Sequence, residues 1–228
     1  MASNTHAQAR FAQCALFLTT VAVPLTGWTV HAVALHRRLA AAGRDPLTGA
    51  LRRESWEPQV QRFINRYGDN ALVLVRDIDH FKRFNDDYGH AVGDLVLATT
   101  AARIIQWAGS RGVVGRLGGD GGDEFIIAAW VGPGRRTVRL DQLNQALHEP
   151  VPTGDGHTVP VAVSVGAASA DVIGTRDRSR LMRAADAAMY AGKHTGTVIQ
   201  ANIEHADAPS INGRRAGRLG THTVARAA

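Results

Sequence analysis

Two apolar runs, GVVGRL (112–117) and EFIIAAW (124–130), flank a glycine-rich hexapeptide in which Gly-Gly-Asp is written twice. Valine, isoleucine and an aromatic suit a pleated strand, and the residues between them are the ones that let a chain reverse tightly. The segment is therefore predicted to form a β-hairpin. ALVLV (71–75), a short apolar run followed by acids, suits a buried strand, and VPVAVSVG (159–166) alternates valine with small or polar residues. Between these runs the apolar period changes from two to about 3.6. Val60, Phe63, Ile64 and Tyr67 fall on one helical face, with Ser55 as expected N-cap and Pro58 in the first turn. A second helix is expected from Leu95 to Trp107. A third carries Leu181, Ala184, Ala185, Ala188 and Met189, with Asp177 as cap and Gly196 beyond its end. Strands and helices mixed in this order predict an α/β (α+β) domain with helices on the faces of a sheet.

The chain has 228 residues, 45% of them hydrophobic and 20% charged, which fits one domain with extensions and not wholesale disorder. Its single cysteine, Cys14, excludes an internal disulfide framework and a Cys-rich metal site. A net charge of +6 raises nucleic acid or an anionic membrane as partner. The basic residues are scattered, however, as at Arg37-Arg38, Arg135-Arg136 and Arg214-Arg215, with no stripe interleaved with aromatics. Nucleic acid is not the expected partner.

Residues 11–35 contain no Asp, Glu, Lys or Arg. That is long enough for a hydrocarbon core, which takes about 20 residues. Arg37, Arg38 and Arg44 follow it, against Arg10 alone on the other flank, so the bulk of the chain is expected on the cytoplasmic side. The expected layout is a short segment 1–10, one transmembrane helix 11–35 and a basic juxtamembrane linker 36–44. The globular domain 45–199 and a disordered tail 200–228 complete it. This makes the chain a single-pass protein of the cytoplasmic (inner) membrane. A cleaved signal peptide and a buried soluble helix are the competing readings of 11–35.

Four clusters carry chemistry. In RDIDHFKRFND (76–86), Asp77 and Asp79 close a strand, where open α/β sheets collect ligands. They share a face if the strand stays extended, although Asp79 reads better as a helix cap. In NDDYGHAVGD (85–94), an amide and a carboxylate could together read guanine, which offers O6 as acceptor and N1–H and N2–H₂ as donors. The doubled run contributes Asp123 and Glu124, hard oxygen ligands of the kind Mg²⁺ takes alongside substrate phosphates. In ADAAMYAGKHTG (185–196), Lys193 could reach a phosphate. Each cluster alone has a plain structural reading: a cap, a solvated loop, a hairpin turn, a lysine favourable with a helix dipole.

Together they resemble one family. DPLTGALRR (45–53), DIDHFKRFND, GH-x-x-GD, Gly121 to Phe125, S-x-G at 164–166 and AD-x-AMY-x-x-K-x-x-G occur in the order seen in the GGDEF family of diguanylate cyclases. The resemblance covers roughly residues 43–199. It implies a palm-like nucleotidyl cyclase fold with a mainly antiparallel central sheet. It also implies condensation of two GTP into cyclic di-GMP plus two pyrophosphates where two such domains meet as a homodimer. By matching positions, Asp77, Asp123 and Glu124 are the implied catalytic residues, and Asp77, the Ile78 carbonyl, Asp123 and Glu124 the Mg²⁺ (or Mn²⁺) ligands. Asn85 and Asp94 would read guanine, Lys82 and Lys193 would bind phosphates, and Gly121 and Gly122 would line the substrate.

The chain departs from the family pattern in three places. Register on Phe125 makes Gly121–Phe125 the working copy and leaves Gly118–Asp120 as three extra residues. Absorbed into the incoming strand, an odd number would turn its later side chains to the opposite face, so they are expected in a lengthened, more mobile hairpin tip. Residues 112–115 read GVVG where product-inhibited members carry R-x-x-D, so no inhibitory site is expected. Gly196-Thr197 stands where the family commonly has Gly-Arg, and one phosphate arginine is missing. A catalytically weak domain that binds GTP or a partner protein is the competing reading, and another dinucleotide synthase on this fold is a third.

Overall fold

The computed structural model describes residues 16–17, 20, 23–117, 122–193 and 195–208, with 37–41 as backbone only. The chain divides into two units, 1–43 and 44–228.

In the first unit, helix α1 spans Val23–Ala42. The expected membrane helix over 11–35 falls partly outside the described residues, and α1 runs through most of the expected linker, taking in Arg37 and Arg38. Among the described residues no helix is long and apolar enough to cross a membrane. Large apolar side chains of α1, Trp28 and Leu25 among them, are exposed.

The second unit is built on a six-stranded sheet in the order β1-β3-β4-β2-β7-β8. Its strands are β1 (Leu51–Arg52), β2 (Ala71–Ile78), β3 (Val113–Leu117), β4 (Glu124–Trp130), β7 (Val163–Ser169) and β8 (Val198–Gln200). A short hairpin, β5 (Val151–Pro152) with β6 (Thr158–Val159), stands apart. The three central pairings are antiparallel and the two edge pairings, β1·β3 and β7·β8, are parallel. The mainly antiparallel sheet of the sequence reading is present. VPVAVSVG is not one strand, however: Val159 ends β6, residues 160–162 are irregular, and β7 starts at Val163.

Alternation along the strands divides the core into two layers. Leu72, Leu74, Phe125, Ile127, Val163 and Val165 face helices α4 (His90–Ala108) and α5 (Arg136–His148). Ala71, Val73, Val75, Ile126 and Ala128 face α2 (Arg53–Tyr67) and α7 (Arg178–Ala191). Helix α3 (Phe81–Tyr88) follows β2, and α6 (Ala170–Ile173) follows β7.

Several boundaries differ from the sequence reading. Helix α2 starts at Arg53, so Ser55 lies inside it and caps nothing, and Pro58 is its sixth residue. Asp177 does cap α7, accepting from the Arg180 N–H at 2.8 Å. The tail expected to be unstructured from 200 continues in order: the Ala201 N–H donates to the Ala167 carbonyl, and α8 (Ile203–Asp207) follows with an Asn202–His205 capping box. Ala206 packs into the α2/α7 layer. Two buried alanines, Ala201 and Ala206, a local cap and the Arg180–Asp207 ion pair hold this turn, and a search for apolar periodicity misses them. Residues after Ala208 lie outside those described.

Candidate active site

Strand register brings the acids together. Asp77 on β2 lies directly opposite Glu124 on β4 and Ser164 on β7, and Leu117 on β3 lies opposite Glu124. Opposed residues of antiparallel strands point to the same face, so Leu117, Glu124, Asp77 and Ser164 form one row under α2 and α7. Asp77 and Glu124 are 6% and 7% exposed, which makes them buried acids that need a cation or hydrogen-bond donors. Asp77 has one cation: the Lys193 ammonium lies 2.9 Å from Asp77 Oδ1. Asp123 precedes Glu124 at the mouth of the hairpin and is half-buried.

Lys193 reaches Asp77 because α7 crosses the sheet closely. A Cβ at Gly166 would stand 2.0 Å from the Ala185 carbonyl oxygen and 2.3 Å from the Met189 nitrogen, so only glycine lets the helix backbone down onto β7. The S-x-G of residues 164–166 is thus a helix seat. Its serine has a separate role: Ser164 Oγ donates to both carboxylate oxygens of Asp79, at 2.8 and 3.1 Å. Asp79 is not the helix cap expected from sequence. His80 occupies that position with φ 56°, the left-handed region, and gives α3 no side-chain cap. Among the described residues His80 is the one non-glycine with positive φ, where a β-carbon makes the backbone costly.

Asn85 and Asp94 flank the α3–α4 junction. A Cβ at Gly93 would stand 1.8 Å from Asn85 Oδ1, so glycine makes room for the amide. That oxygen is buried with no hydrogen-bond partner, leaving its acceptor capacity unspent. Asp94 and Lys82 are exposed, Ile78 is buried at the end of β2, and Gly121 lies outside the described residues.

The hairpin answers the question of the extra residues in part. Pairing runs without a skip from Val113↔Ala128 to Leu117↔Glu124, so both strands keep register and the six residues 118–123 make the connection. The tip, 118–121, lies outside the described residues. Its base is held by Arg116, whose Nε donates to the Gly122 carbonyl at 2.8 Å and whose Nη1 meets Asp45 Oδ1 at 3.0 Å. Burial works against the Asp45 charge, but the Thr48 hydroxyl, Arg116 and the Thr48 N–H together hold its carboxyl below the ordinary range. Arg116→Met is expected to destabilise the domain by about 1–3 kcal/mol in denaturant unfolding, because Asp45 and the Gly122 carbonyl lose their shared donor. An unchanged midpoint would show that the clamp contributes nothing.

Arg76, one residue before Asp77, is the surprise. Its side chain points to the opposite face, fully buried, with its guanidinium carbon 5.5 Å from the Phe125 ring centroid. None of its three nitrogens has a hydrogen-bond partner. Burial pushes its pKa down to about 9, against the pull of Asp77, Asp123 and Asp79. The sequence reading passed over Arg76, Arg116 and Asp45 as functional positions; an arginine directly continuing the buried run ALVLV was the available signal for the first.

A cleft of about 240 Å³ opens between α2 and α7 beside Glu124, with Arg53, Leu117, Arg178, Met182 and Arg183 among its walls. Glu124 is itself part of the lining, whereas Asp77, Lys82, Asn85, Asp94 and Lys193 are not, so the cleft meets the constellation predicted from the motifs only at Glu124. Among the described residues no group of three His, Cys, Asp or Glu side chains is arranged to hold a metal unaided. The oxygen donors of Asp77 and Glu124 nevertheless fit Mg²⁺, which commonly takes one or two carboxylates and completes its shell with water and phosphate.

Residues 42–198 match the family described as "Diguanylate cyclase, GGDEF domain". A 19.3 kDa protein from the repSA 5′ region of Streptomyces ambofaciens is 44% identical over 171 residues, 75% of this chain and 89% of that protein. Diguanylate cyclase DgcN of Escherichia coli K12 is 30% identical over 191 residues, covering 82% of this chain but only 46% of DgcN. Several matched relatives are thus much longer, and the chain spans 23% of a Caulobacter vibrioides signalling protein that is 35% identical. Among solved structures, the isolated GGDEF domain of TpbB from Pseudomonas aeruginosa superposes with a TM-score of 0.62 at 30% identity, over 72% of this chain and 97% of that one. Family match, relatives and a shared sheet with helices on both faces agree: the chain belongs to the GGDEF domain family.

Proposed function

We propose that this chain is a diguanylate cyclase that condenses two GTP into cyclic di-GMP with release of two pyrophosphates, at the interface of two GGDEF domains. The observation that carries this reading is the pairing of Asp77 with Glu124 across β2 and β4, with Asp123 at the hairpin mouth and Lys193 alongside. Asn85 and Asp94 bind the guanine edge, and the unspent Asn85 Oδ1 suits a base that presents N–H donors. Lys82 and the first turn of α3, which has no side-chain cap, receive phosphate oxygens; backbone N–H groups at a helix start favour anions. Asp77, the Ile78 carbonyl, Asp123 and Glu124 would hold the divalent ions. Such ions, when bound, neutralise phosphate charge and acidify the attacking hydroxyl. The domain's own share is to position two triphosphates for in-line attack, which needs each carboxylate held closely in place.

Purified full chain incubated with GTP and Mg²⁺ is expected to yield cyclic di-GMP, read by chromatography. No product at high protein concentration, alongside measurable GTP binding, would favour the second reading, a GTP-binding regulatory module. That reading draws on Thr197 in the place of a phosphate arginine and on the longer hairpin. A variant lacking Gly118–Asp120 tests the insertion directly. It is expected to turn over faster, and equal rates would sink the idea that the longer tip weakens the site.

A further inference from the structure

We infer that Lys193 holds the cation position of Asp77 until a triphosphate arrives, so that the site takes its divalent ion with the nucleotide and not alone. The inference rests on the cyclase reading for the identity of the nucleotide.

The geometry sets up a competition. Lys193 Nζ is 2.9 Å from Asp77 Oδ1, and the two side chains are only 18% and 9% exposed. A pair this shielded from water is weakly screened, so a second cation approaching the same carboxylate meets strong repulsion from the ammonium. The neighbouring acids do not offset this, since among the described residues no three carboxylates converge into a cage for a free ion.

Release is built in. Lys193 lies just past the last turn of α7, whose end is marked by the Gly192 N–H donating to the Ala188 carbonyl. The helix itself is fixed where it sits on Gly166. A four-carbon stem on a fixed base can swing from a carboxylate to a phosphate without moving the helix. Phosphate oxygens therefore draw the ammonium away and leave Asp77 open to the ion that travels with them. Metal and nucleotide are then positively coupled, and linkage makes the coupling reciprocal. Thr197 sharpens the dependence, because no arginine at that position shares the phosphates with Lys193.

The test is a Mn²⁺ titration of the full chain followed by electron paramagnetic resonance. Without nucleotide, Lys193→Met is expected to bind Mn²⁺ about tenfold more tightly than wild type, while Lys193→Arg stays as weak as wild type. With a non-hydrolysable GTP analogue, wild-type Mn²⁺ affinity should rise by a comparable factor and that of Lys193→Met should change little. Equal or weaker Mn²⁺ binding by folded Lys193→Met without nucleotide overturns the inference. Should that variant fail to fold, Lys193→Gln, which removes the charge but keeps a donor to Asp77, is read the same way. Absence of cyclic di-GMP from wild type would count against the cyclase reading and leave the nucleotide-free titration to decide this one.

Discussion

Asp77→Asn is expected to lower cyclic di-GMP formation by about 100- to 1,000-fold, the scale seen when one preorganised electrostatic group is removed from an active site. The residue stands at the centre of the row Leu117–Glu124–Asp77–Ser164 and carries the ion pair to Lys193. An asparagine keeps the shape of the carboxylate and removes its charge, so the fold should survive and the comparison is clean. The variant also uncouples Lys193, which then has no carboxylate to leave. GTP binding is accordingly expected to persist while turnover is lost. Turnover within about tenfold of wild type would show that Asp77 carries little of the ion binding proposed for it.

Arg76→Met has a large expected effect of the opposite kind. Arg76 is fully buried and its guanidinium has no hydrogen-bond partner, so folding strips it of water and returns only the Phe125 ring and the pull of Asp77, Asp123 and Asp79. Replacing a poorly compensated buried charge by an apolar side chain of similar length commonly stabilises by about 1–4 kcal/mol. At about 2–4 °C per kcal/mol for a domain of this size, the midpoint of thermal unfolding should rise by several degrees. The pH dependence has a definite sign. Folding lowers the Arg76 pKa from its ordinary value to about 9, so the folded state disfavours the charged form. The stability deficit is fully present below pH 9 and is relieved as pH rises above it. The gap between variant and wild type should therefore be constant near neutrality and narrow above pH 9. A lower midpoint in Arg76→Met would mean that the charge is compensated after all, with Asp77, Asp79 and Asp123 as the nearest sources.

The two cases show which parts of the site sequence could reach. The placement of Asp77 at a strand end and of Asp123 and Glu124 at a hairpin mouth was legible because apolar runs and turn residues act locally. The hairpin, the buried strand at ALVLV and the Asp177 cap were legible for the same reason: apolar period, turn residues and capping side chains act over a few neighbours. Asp79 was misread because its partner, Ser164, lies 85 residues away and wins over the local option of capping α3. The turn at Ala201–Asp207 was missed because a capping box and two buried alanines leave no periodic trace. The helix expected over 11–35 was read from charge-free length, whereas α1 starts at Val23 and extends into the charged residues that follow.

By itself, the sequence determined which family this chain belongs to: a GGDEF domain in which the second Gly-Gly-Asp is the copy that keeps Glu124 and Phe125 beside it. Tertiary structure decided what surrounds that copy. Register across β2 and β4 sets Asp77 against Glu124. The seat at Gly166 brings α7 down so that Lys193 meets Asp77, and Arg116 ties the base of the longer hairpin to Asp45. Arg76 was placed in the interior, where its guanidinium has no hydrogen-bond partner. The physical reason is range. Propensity, periodicity and capping are settled among near neighbours in the chain, whereas strand register, helix seating and the partners of a buried charge depend on residues that only the folded sheet brings together.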